Sequence, residues 1–155
     1  MIRLAQPEDR EAIETIVRAA YAVYIPRIGK PPGPMLDDYA VLIAGGAVSV
    51  IEEADEEIAA LIVLLPKPDH LLLDNIAVRP DRQGRGFGRA LVEFAEQEAR
   101  RQGFTEIRLY THETMTENIA LYLRIGFIES GRGNDSGYDR VFMVKPLMKR
   151  PDIME

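Results

Sequence analysis

One segment of the chain joins an apolar strand, a glycine-rich turn and the start of a helix: Asn75-Ile76-Ala77-Val78-Arg79-Pro80-Asp81-Arg82-Gln83-Gly84-Arg85-Gly86-Phe87-Gly88-Arg89-Ala90-Leu91. Its glycines have the spacing G-x-G-x-G, which allows backbone N–H groups to approach a ligand closely. The helix start adds free N–H donors and the positive end of the helix dipole, a combination that binds phosphate. Three side chains can add charge-assisted contacts, those of Arg82, Arg85 and Arg89. The segment therefore predicts a phosphate-binding turn.

The same spacing argues against the common nucleotide motifs. A P-loop needs Gly-Lys-Ser/Thr, which is absent, and the Rossmann fingerprint needs G-x-G-x-x-G with an acid about 20 residues later. At that place the chain has Gly103-Phe104-Thr105. A nucleotide-binding oxidoreductase or kinase is therefore disfavoured. An arginine-rich loop that binds nothing stays open as the alternative to a phosphate site.

Composition and charge narrow the class of protein. The 155 residues include 46% hydrophobic and 28% charged residues, which predicts one ordinary globular domain over residues 1–155. With no cysteine and two histidines, a thiolate metal site and a Cys acyl-enzyme are excluded, and we expect no metal. The net charge of −6 argues against nucleic acid as a partner. The longest apolar run, Ile58 to Leu65, is too short for a membrane span, so we expect a cytoplasmic protein.

The charge is unevenly distributed between the two halves of the chain. Residues 1–78 carry a net charge of −7 and residues 79–155 carry +1. The second half opens with a local basic cluster made of Arg79, Arg82, Arg85 and Arg89. A basic cluster on an acidic protein indicates a small anionic ligand.

Hydrophobic periodicity predicts alternating strands and helices. The first helix should start at Pro7 and stop before Pro26, with a loop over Ile25 to Pro34. We expect a short helix over Asp37 to Ala44, a long helix from Phe87 that ends at Gly103, and a helix from Met115 to Ile125. Thr114 and Glu117 form a candidate capping box for that helix. The predicted strands are Ile2 to Ala5, Val48 to Glu52, Ile58 to Leu65, Leu71 to Val78, Ile107 to Thr111, Phe127 to Ser130 and Val141 to Val144. This order predicts an α/β fold (α+β) with a sheet of mixed direction covered by helices.

Three motifs in this order resemble the GNAT superfamily of N-acetyltransferases. Gln83-Gly84-Arg85-Gly86-Phe87-Gly88 is similar to the family's Q/R-x-x-G-x-G/A motif, and Ile76-Ala77-Val78-x-Pro80 is similar to its splayed central strand. Asn118-x-x-Ala120-x-Tyr122-x-x-x-Gly126-Phe127 is similar to a later conserved element. The resemblance implies a GNAT-like fold in which the strands Leu71 to Val78 and Ile107 to Thr111 splay apart.

The resemblance also implies a cofactor, acetyl-CoA, with coenzyme A as the product. Backbone N–H groups from residues 83–89 would hold the pyrophosphate, the strand 76–78 would pair with the pantetheine arm, and Asn118 would contact the pantetheine or the acetyl end. The implied cofactor-binding residues are Ile76, Ala77, Val78, Gln83, Gly84, Arg85, Gly86, Phe87, Gly88, Arg89 and Asn118.

The expected reaction is direct transfer of the acetyl group to a primary amine within a ternary complex. A primary amine is mostly protonated at neutral pH, so a base must take its proton. The resemblance implies Tyr122 as the general acid for the CoA thiolate, and a backbone N–H of residues 76–78 could serve the oxyanion. Asp74 is the candidate base, because strand alternation puts it on one face with Leu72 and Ile76, which have no acid–base group. A structural carboxylate at Asp74, a water chain, and a base formed by His112 and Glu113 stay open.

The first two helices and their loop correspond to the acceptor wall in that family. Tyr21, Tyr24 and Arg27 are the candidate substrate-binding residues, with Tyr39, Asp37 and Asp38 nearby. The acids favour a small-molecule cationic amine, whereas Arg27 favours an acceptor with a carboxylate, and the sequence does not choose. The aromatic residues could also simply pack the helices. Alternatives are a protein or peptide amine, or a non-catalytic acyl-CoA-binding module. Homodimers are common in the family, and the terminal strands offer an edge.

Overall fold

The structure, a computed structural model, describes residues 1–147. The last eight residues of the predicted domain, 148–155, lie outside the described residues. The strands are β1 (Ile2–Leu4), β2 (Val48–Glu52), β3 (Ile58–Pro66), β4 (Leu71–Val78), β5 (Glu106–His112), β6 (Ile128–Asp135) and β7 (Tyr138–Pro146). The α-helices are α1 (Arg10–Tyr21), α2 (Ile25–Ile28), α3 (Tyr39–Ala44), α4 (Phe87–Arg101) and α5 (Thr116–Ile125). Short 3-10 turns occupy Pro7–Asp9, Ala22–Tyr24, Gly33–Leu36 and Pro80–Arg82.

The strands form one seven-stranded sheet in the order β1-β2-β3-β4-β5-β7-β6. Every neighbouring pair is antiparallel except β4 and β5, which are parallel. Helices α4 and α5 cover one face with a core that includes Leu91, Ile107 and Phe127, and α1 and α3 cover the other with a core that includes Ile13 and Leu61. The predicted mixed α/β sheet is confirmed. No helix within residues 1–147 is long and apolar enough to cross a membrane.

The parallel strands β4 and β5 separate along their length. They pair only where Leu71 faces Ile107 and Leu72 faces Arg108. Beyond this point β4 continues to Val78 with no partner strand on that side. The predicted splay is therefore confirmed, and it opens a gap in the centre of the sheet.

A β-bulge in β4 corrects the prediction about which residues share a face. The partners of Leu64 and Val63 in β3 are Leu73 and Asn75, so Asp74 is an extra residue opposite no single partner. A bulge interrupts the alternation of side chains. Ile76 consequently packs on the α4 side of the sheet with Leu73. The prediction that Asp74 shares a face with Ile76 is wrong, because alternation was assumed across the bulge.

Two helix boundaries also differ from the prediction. Pro26 does not end helical structure but lies in the first turn of α2, where proline's missing N–H needs no partner, and Gly29 ends that helix at a φ of 89°. The predicted capping box of α5 is wrong. The side chain of Thr114 bonds to Nδ1 of His112 at 2.9 Å, and the Glu117 carboxylate bonds to Arg27 at 2.7 Å.

Candidate active site

The gap between β4 and β5 exposes backbone polar groups. Arg79 donates its N–H to the carbonyl of Ala59 at 2.9 Å, which fixes the alternation of this antiparallel pair. Ile76 and Val78 must therefore turn their N–H and C=O groups away from β3 and into the gap. The Ile76 carbonyl is already used, since it accepts a hydrogen bond from the Tyr21 hydroxyl at 2.9 Å. The N–H groups of Ile76 and Val78 are thus available to a ligand that enters the gap.

The glycine turn lies beyond the end of β4 and leads directly into α4. Gly84 and Gly86 have positive φ angles of 82° and 83°, and a Cβ built on either would meet no atom within 4 Å. The first hydrogen bond of α4 runs from the Ala90 N–H to the Gly86 carbonyl. Within residues 1–147, the N–H groups of residues 84–89 have no hydrogen-bond acceptor. Free donors around open space at a helix N-terminus fit a phosphate group.

Gly88 differs from the other two glycines of the motif. Its φ is not positive, and a Cβ there would lie 3.6 Å from Cδ2 of Leu121, which is an ordinary van der Waals distance. Alanine would therefore fit at this position. Within the motif, only Gly84 and Gly86 have a backbone conformation that favours glycine.

The basic cluster is only partly available to an anion. Nε of Arg82 lies 2.6 Å from Glu53, and Nη1 of Arg79 lies 3.0 Å from Glu57, so both side chains are neutralised by the acidic turn after β2. Arg85 and Arg89 are exposed at the turn, and Arg85 makes only a 4.0 Å contact with Glu53. Arg85 and Arg89 are therefore the side chains best able to reach a bound phosphate.

A cavity of about 160 Å³ opens at the other end of the gap, where the side chains of β4 and β5 meet α1, α5 and the loop before α3. Its lining includes Tyr21, Asp37, Asp74, Tyr110, Asn118 and Tyr122. The structure thus brings together Tyr21, Asp74, Asn118 and Tyr122 from the predicted site residues. One central gap links this cavity to the glycine turn.

The bulge turns Asp74 towards this cavity. Oδ1 of Asp74 lies 3.4 Å from the Tyr110 hydroxyl, and Asp37 lines the same cavity. Burial raises the pKa of Asp74 above its ordinary value, although its hydrogen bond with Tyr110 acts in the opposite direction. Partial burial at the cavity mouth and the negative charge of Asp74 raise the pKa of Asp37 to about 6. Two carboxyl groups with raised pKa values in one cleft suit proton transfer near neutral pH.

A buried hydrogen-bond network holds the bulge against α1 and α3. Oδ1 of Asn75 accepts from the Tyr21 hydroxyl at 2.5 Å, and Nδ2 of Asn75 donates to the Tyr39 hydroxyl at 2.9 Å. Tyr39 in turn donates to the Pro34 carbonyl at 2.6 Å. Asn75 was not predicted as a site residue. The polar pair Asp74-Asn75 inside an apolar strand was the signal that could have indicated the bulge.

Tyr122 lines the cavity from α5. The residue is 7% exposed, its ring packs edge-on against Phe127 at 5.5 Å, and its hydroxyl donates to no group among the described residues. Burial raises the pKa of Tyr122 well above its ordinary value, so the phenol keeps its proton. Asn118 lies one turn earlier in α5 and donates to Sδ of Met115 at 3.7 Å.

Two of the predicted acceptor-wall residues lie outside the cavity lining. Tyr24 packs against Tyr21, and the Arg27 guanidinium stacks on the Tyr24 ring at 5.1 Å. Arg27 also forms two short hydrogen bonds with Glu117. This ion pair lowers the pKa of Glu117 to about 2 and joins α2 to α5. Tyr24 and Arg27 therefore do not line the cavity, but they contact Tyr21 and α5, which do.

Of the two residues of the alternative base, His112 and Glu113, only His112 lines the cavity. His112 lines the cavity, with its Nδ1 bonded to both the hydroxyl and the N–H of Thr114. Glu113 is exposed and outside the lining. Two lining residues that the sequence did not indicate are Tyr138 and Arg140, from the β6–β7 hairpin. Arg140 stacks on the Tyr110 ring at 4.1 Å and bonds to Asp135.

The sheet opens between two parallel strands, with free N–H groups in a glycine turn beyond one end and an acid-lined cavity at the other, an arrangement suited to an enzyme that transfers an activated group. The model of the acetyltransferase (GNAT) family matches residues 11–127, and the chain belongs to this family. The resemblance inferred from the motifs is confirmed.

Individual relatives cover only part of the chain. The [ribosomal protein bS18]-alanine N-acetyltransferase of Salmonella typhimurium is 38% identical over 77 residues, which are 50% of this chain and 52% of that protein. N-acetyltransferase family 8 member 3 of Rattus norvegicus is 33% identical over 87 residues, 52% of this chain and 38% of that protein. The chain therefore spans about half or less of the length of these curated relatives.

A solved structure covers nearly the whole fold. PaiA N-acetyltransferase from Thermoplasma acidophilum, in complex with coenzyme A, superposes with a TM-score of 0.77 over 94% of this chain and 98% of that chain. At 19% identity this similarity supports the fold alone.

Proposed function

We propose that the protein transfers the acetyl group of acetyl-CoA directly to a primary amine of a small molecule. The observation that carries the proposal is the central gap, which joins a phosphate-binding turn to a cavity lined by two carboxyl groups and a phenol. Family membership gives the reaction class. The residues at one end of the gap suit acetyl-CoA, and those at the other end suit the acceptor amine.

The turn and β4 suit acetyl-CoA. When bound, it supplies an acetyl group activated as a thioester. The free N–H groups of residues 84–89 would hold the pyrophosphate, with Arg85 and Arg89 adding charge. The Val78 N–H would pair with the pantetheine arm, which leaves the Ile76 N–H for the reacting acyl group, and Asn118 lines the adjoining cavity.

The cavity end suits the acceptor. Asp74 would take the proton from the ammonium group, which frees the nitrogen lone pair for attack. The Ile76 N–H, turned into the gap beside the cavity, would stabilise the developing oxyanion. Tyr122 would donate its phenolic proton to the leaving thiolate, since its raised pKa keeps it protonated until then.

Hydrogen bonds that bridge one side of the cavity favour a small acceptor. Nζ of Lys30 donates to the Gly137 carbonyl at 2.8 Å, and the Tyr138 hydroxyl donates to the Pro31 carbonyl at 2.7 Å. These bonds join the loop after α2 to the β6–β7 hairpin across one side of the cavity. An extended peptide would have to break them, whereas a small amine would not.

A protein α-amine is the second candidate acceptor, because the named substrate of the Salmonella relative is an alanine of a ribosomal protein. A homodimer also stays a prediction, for which the exposed edge strand β6 offers a surface, and sedimentation velocity measures it.

A panel assay of CoA thiol release tests the proposal. Small primary amines, diamines, amino acids and short peptides with a free N-terminus are each incubated with the protein and acetyl-CoA. We expect thiol release with small amines and little with peptides. Preferential release with peptides would favour the second candidate, and CoA binding without release for any amine would favour a non-catalytic module. Tight NAD or ATP binding without CoA binding would contradict the proposal.

A further inference from the structure

The loop between α2 and α3 brings a second carboxyl group to the cavity that contains Asp74. Asp37 follows the 3-10 turn Gly33–Leu36 and lines the cavity at its solvent-exposed mouth, whereas Asp74 lies deeper on the bulge of β4. The two carboxyl groups line the same cavity, and each affects the pKa of the other. We call Asp37 and Asp74 the acid pair. Its members form an inner and an outer position along one path to solvent.

A second feature of the cavity points to a ligand at the acid pair. Tyr122 is 7% exposed and lines the same cavity, and its hydroxyl donates to no group within residues 1–147. No side-chain polar atom within residues 1–147 is both fully buried and unpaired, so this hydroxyl reaches the open space of the cavity, where a ligand can accept its hydrogen bond. The acid pair and this tyrosine line a single space.

The charged groups around the acid pair leave it without a full counterion. Lys67 from the β3–β4 turn and Arg140 from β7 act on Asp74 only through longer-range attraction. Arg140 is already bonded to Asp135 at 2.7 Å. Within residues 1–147, the other titratable groups around the pair are Tyr21 and Glu14 of α1, Tyr39 of α3, Tyr110 and His112 of β5, Tyr122 of α5 and Tyr138 of β7. A cation in the cavity would therefore supply missing charge.

We propose, resting on the proposed function, that Asp37 and Asp74 act together as the base: the acid pair binds the acceptor as an ammonium ion and carries its proton out to water. One N–H bond of the ammonium group breaks, its electron pair stays on nitrogen, and an O–H bond forms on Asp74. The proton then passes to Asp37 and to water at the mouth. Asp74 then returns to its carboxylate form. The second proton that the nitrogen loses on forming the amide replaces the one that Tyr122 gives to the thiolate, so one proton is released to solvent in each turnover.

The order of the two acids supports this direction of transfer. Asp74 is the inner group, next to the Ile76 N–H and the gap, so it is the one that can reach the reacting nitrogen. Asp37 is the outer group, and its pKa of about 6 lets it hold a proton briefly and release it at neutral pH. Without Asp37, the proton on Asp74 would have no carboxylate beside it to receive it.

Asp37→Asn tests the proposal, with Asp38→Asn as the matched control. Asp38 is exposed and caps α3 through a bond from the Val41 N–H, a role that asparagine also performs. With the best amine of the panel, we expect Asp37→Asn to lower kcat about tenfold. The acid limb of kcat/KM should move to lower pH, because the carboxyl group with a pKa of about 6 is removed. High concentrations of a small carboxylate buffer should restore kcat in Asp37→Asn alone, and Asp37→Glu should keep most activity.

A stability measurement tests the acid pair without any acceptor. A carboxyl group whose pKa is raised by folding lowers stability as the pH rises through the interval between its unfolded and folded values. Asp37→Asn should therefore raise Tm relative to the wild type at pH 8 but not at pH 4, and Asp38→Asn should not. An unmoved acid limb, an absent buffer effect or an unchanged Tm at pH 8 would each overturn the acid pair. Failure of the proposed function is distinct, since it would appear in the wild type as no thiol release from any amine.

Discussion

Gly86→Ala should lower the affinity for CoA much more than it lowers the stability of the fold. Gly86 precedes α4 at a φ of 83°, where a side chain is disfavoured by about 1–2 kcal/mol. A Cβ there would meet no protein atom within 4 Å, so no clash adds to this cost. For a domain of this size, the loss corresponds to a fall in Tm of about 2–8 °C. Gly86→Ala should therefore fold normally.

The effect on cofactor binding should be much larger than the effect on stability. The open space in front of Gly86 is where the pyrophosphate would approach the N–H groups of the turn. A methyl group there would displace the phosphate from at least one charge-assisted hydrogen bond, which is worth about 1.5–3 kcal/mol. The affinity for CoA should then fall roughly 10- to 150-fold.

Gly103→Ala is the matched control for this experiment. Gly103 follows α4 with a φ of 85°, a Cβ there would also meet no atom within 4 Å, and the residue lies outside the turn and the cavity. It should lose similar stability and keep CoA affinity. Isothermal titration of CoA and thermal unfolding of both variants measure the two quantities. If Gly86→Ala binds CoA within about threefold of Gly103→Ala, less than about 0.7 kcal/mol apart, the turn does not hold the phosphate.

Three further predictions concern the cavity and its support. Tyr122→Phe keeps the ring against Phe127 and removes only the hydroxyl, so kcat should fall about 100-fold at an unchanged CoA dissociation constant; unchanged turnover would exclude the general-acid role. Asn75→Leu removes two buried hydrogen bonds with tyrosine hydroxyls, each worth about 0.5–1.5 kcal/mol, so the free energy of unfolding in urea should fall by about 1–3 kcal/mol, and an unaltered midpoint would contradict the network. Arg3 lowers the folded pKa of Asp9, so Asp9 stabilises the fold above its unfolded pKa and loses this effect as the pH falls through the folded value. Asp9→Asn should therefore be less stable than the wild type at pH 7 and nearly equal to it at pH 2, as thermal unfolding at both values would measure.

Local sequence signals predicted the glycine turn better than they predicted the lining of the cavity. Glycines with positive φ and a helix start are adjacent in the chain, so Gly84, Gly86 and the N–H groups of α4 could be recognised from one short segment. The acceptor end combines residues far apart in sequence. Tyr138 and Arg140 reach the cavity from β7, and no local pattern indicates that a hairpin near the end of the chain closes over a loop after α2.

Charge was a less reliable guide than glycine spacing. The basic cluster after β4 looked free in the sequence, but Arg79 and Arg82 are held by Glu53 and Glu57 from a turn more than 20 residues earlier. Likewise, Arg27 pairs with Glu117 rather than facing an acceptor. Ion pairs form between side chains that only folding brings together, so the number of charges in a segment does not show which remain free.

The sequence by itself determined the family, the mixed sheet and the glycine turn before α4, because periodicity, turn chemistry and glycine spacing act over short distances along the chain. The tertiary structure alone decided the direction of Asp74. Its side chain faces the cavity because β3 pairs with β4 in a register that leaves one residue over. That register depends on packing both faces of the sheet, with Leu73 and Ile76 towards α4 and Asn75 bonded to Tyr21 and Tyr39. A bulge moves every later side chain to the opposite face, and only the packed sheet fixes where it occurs.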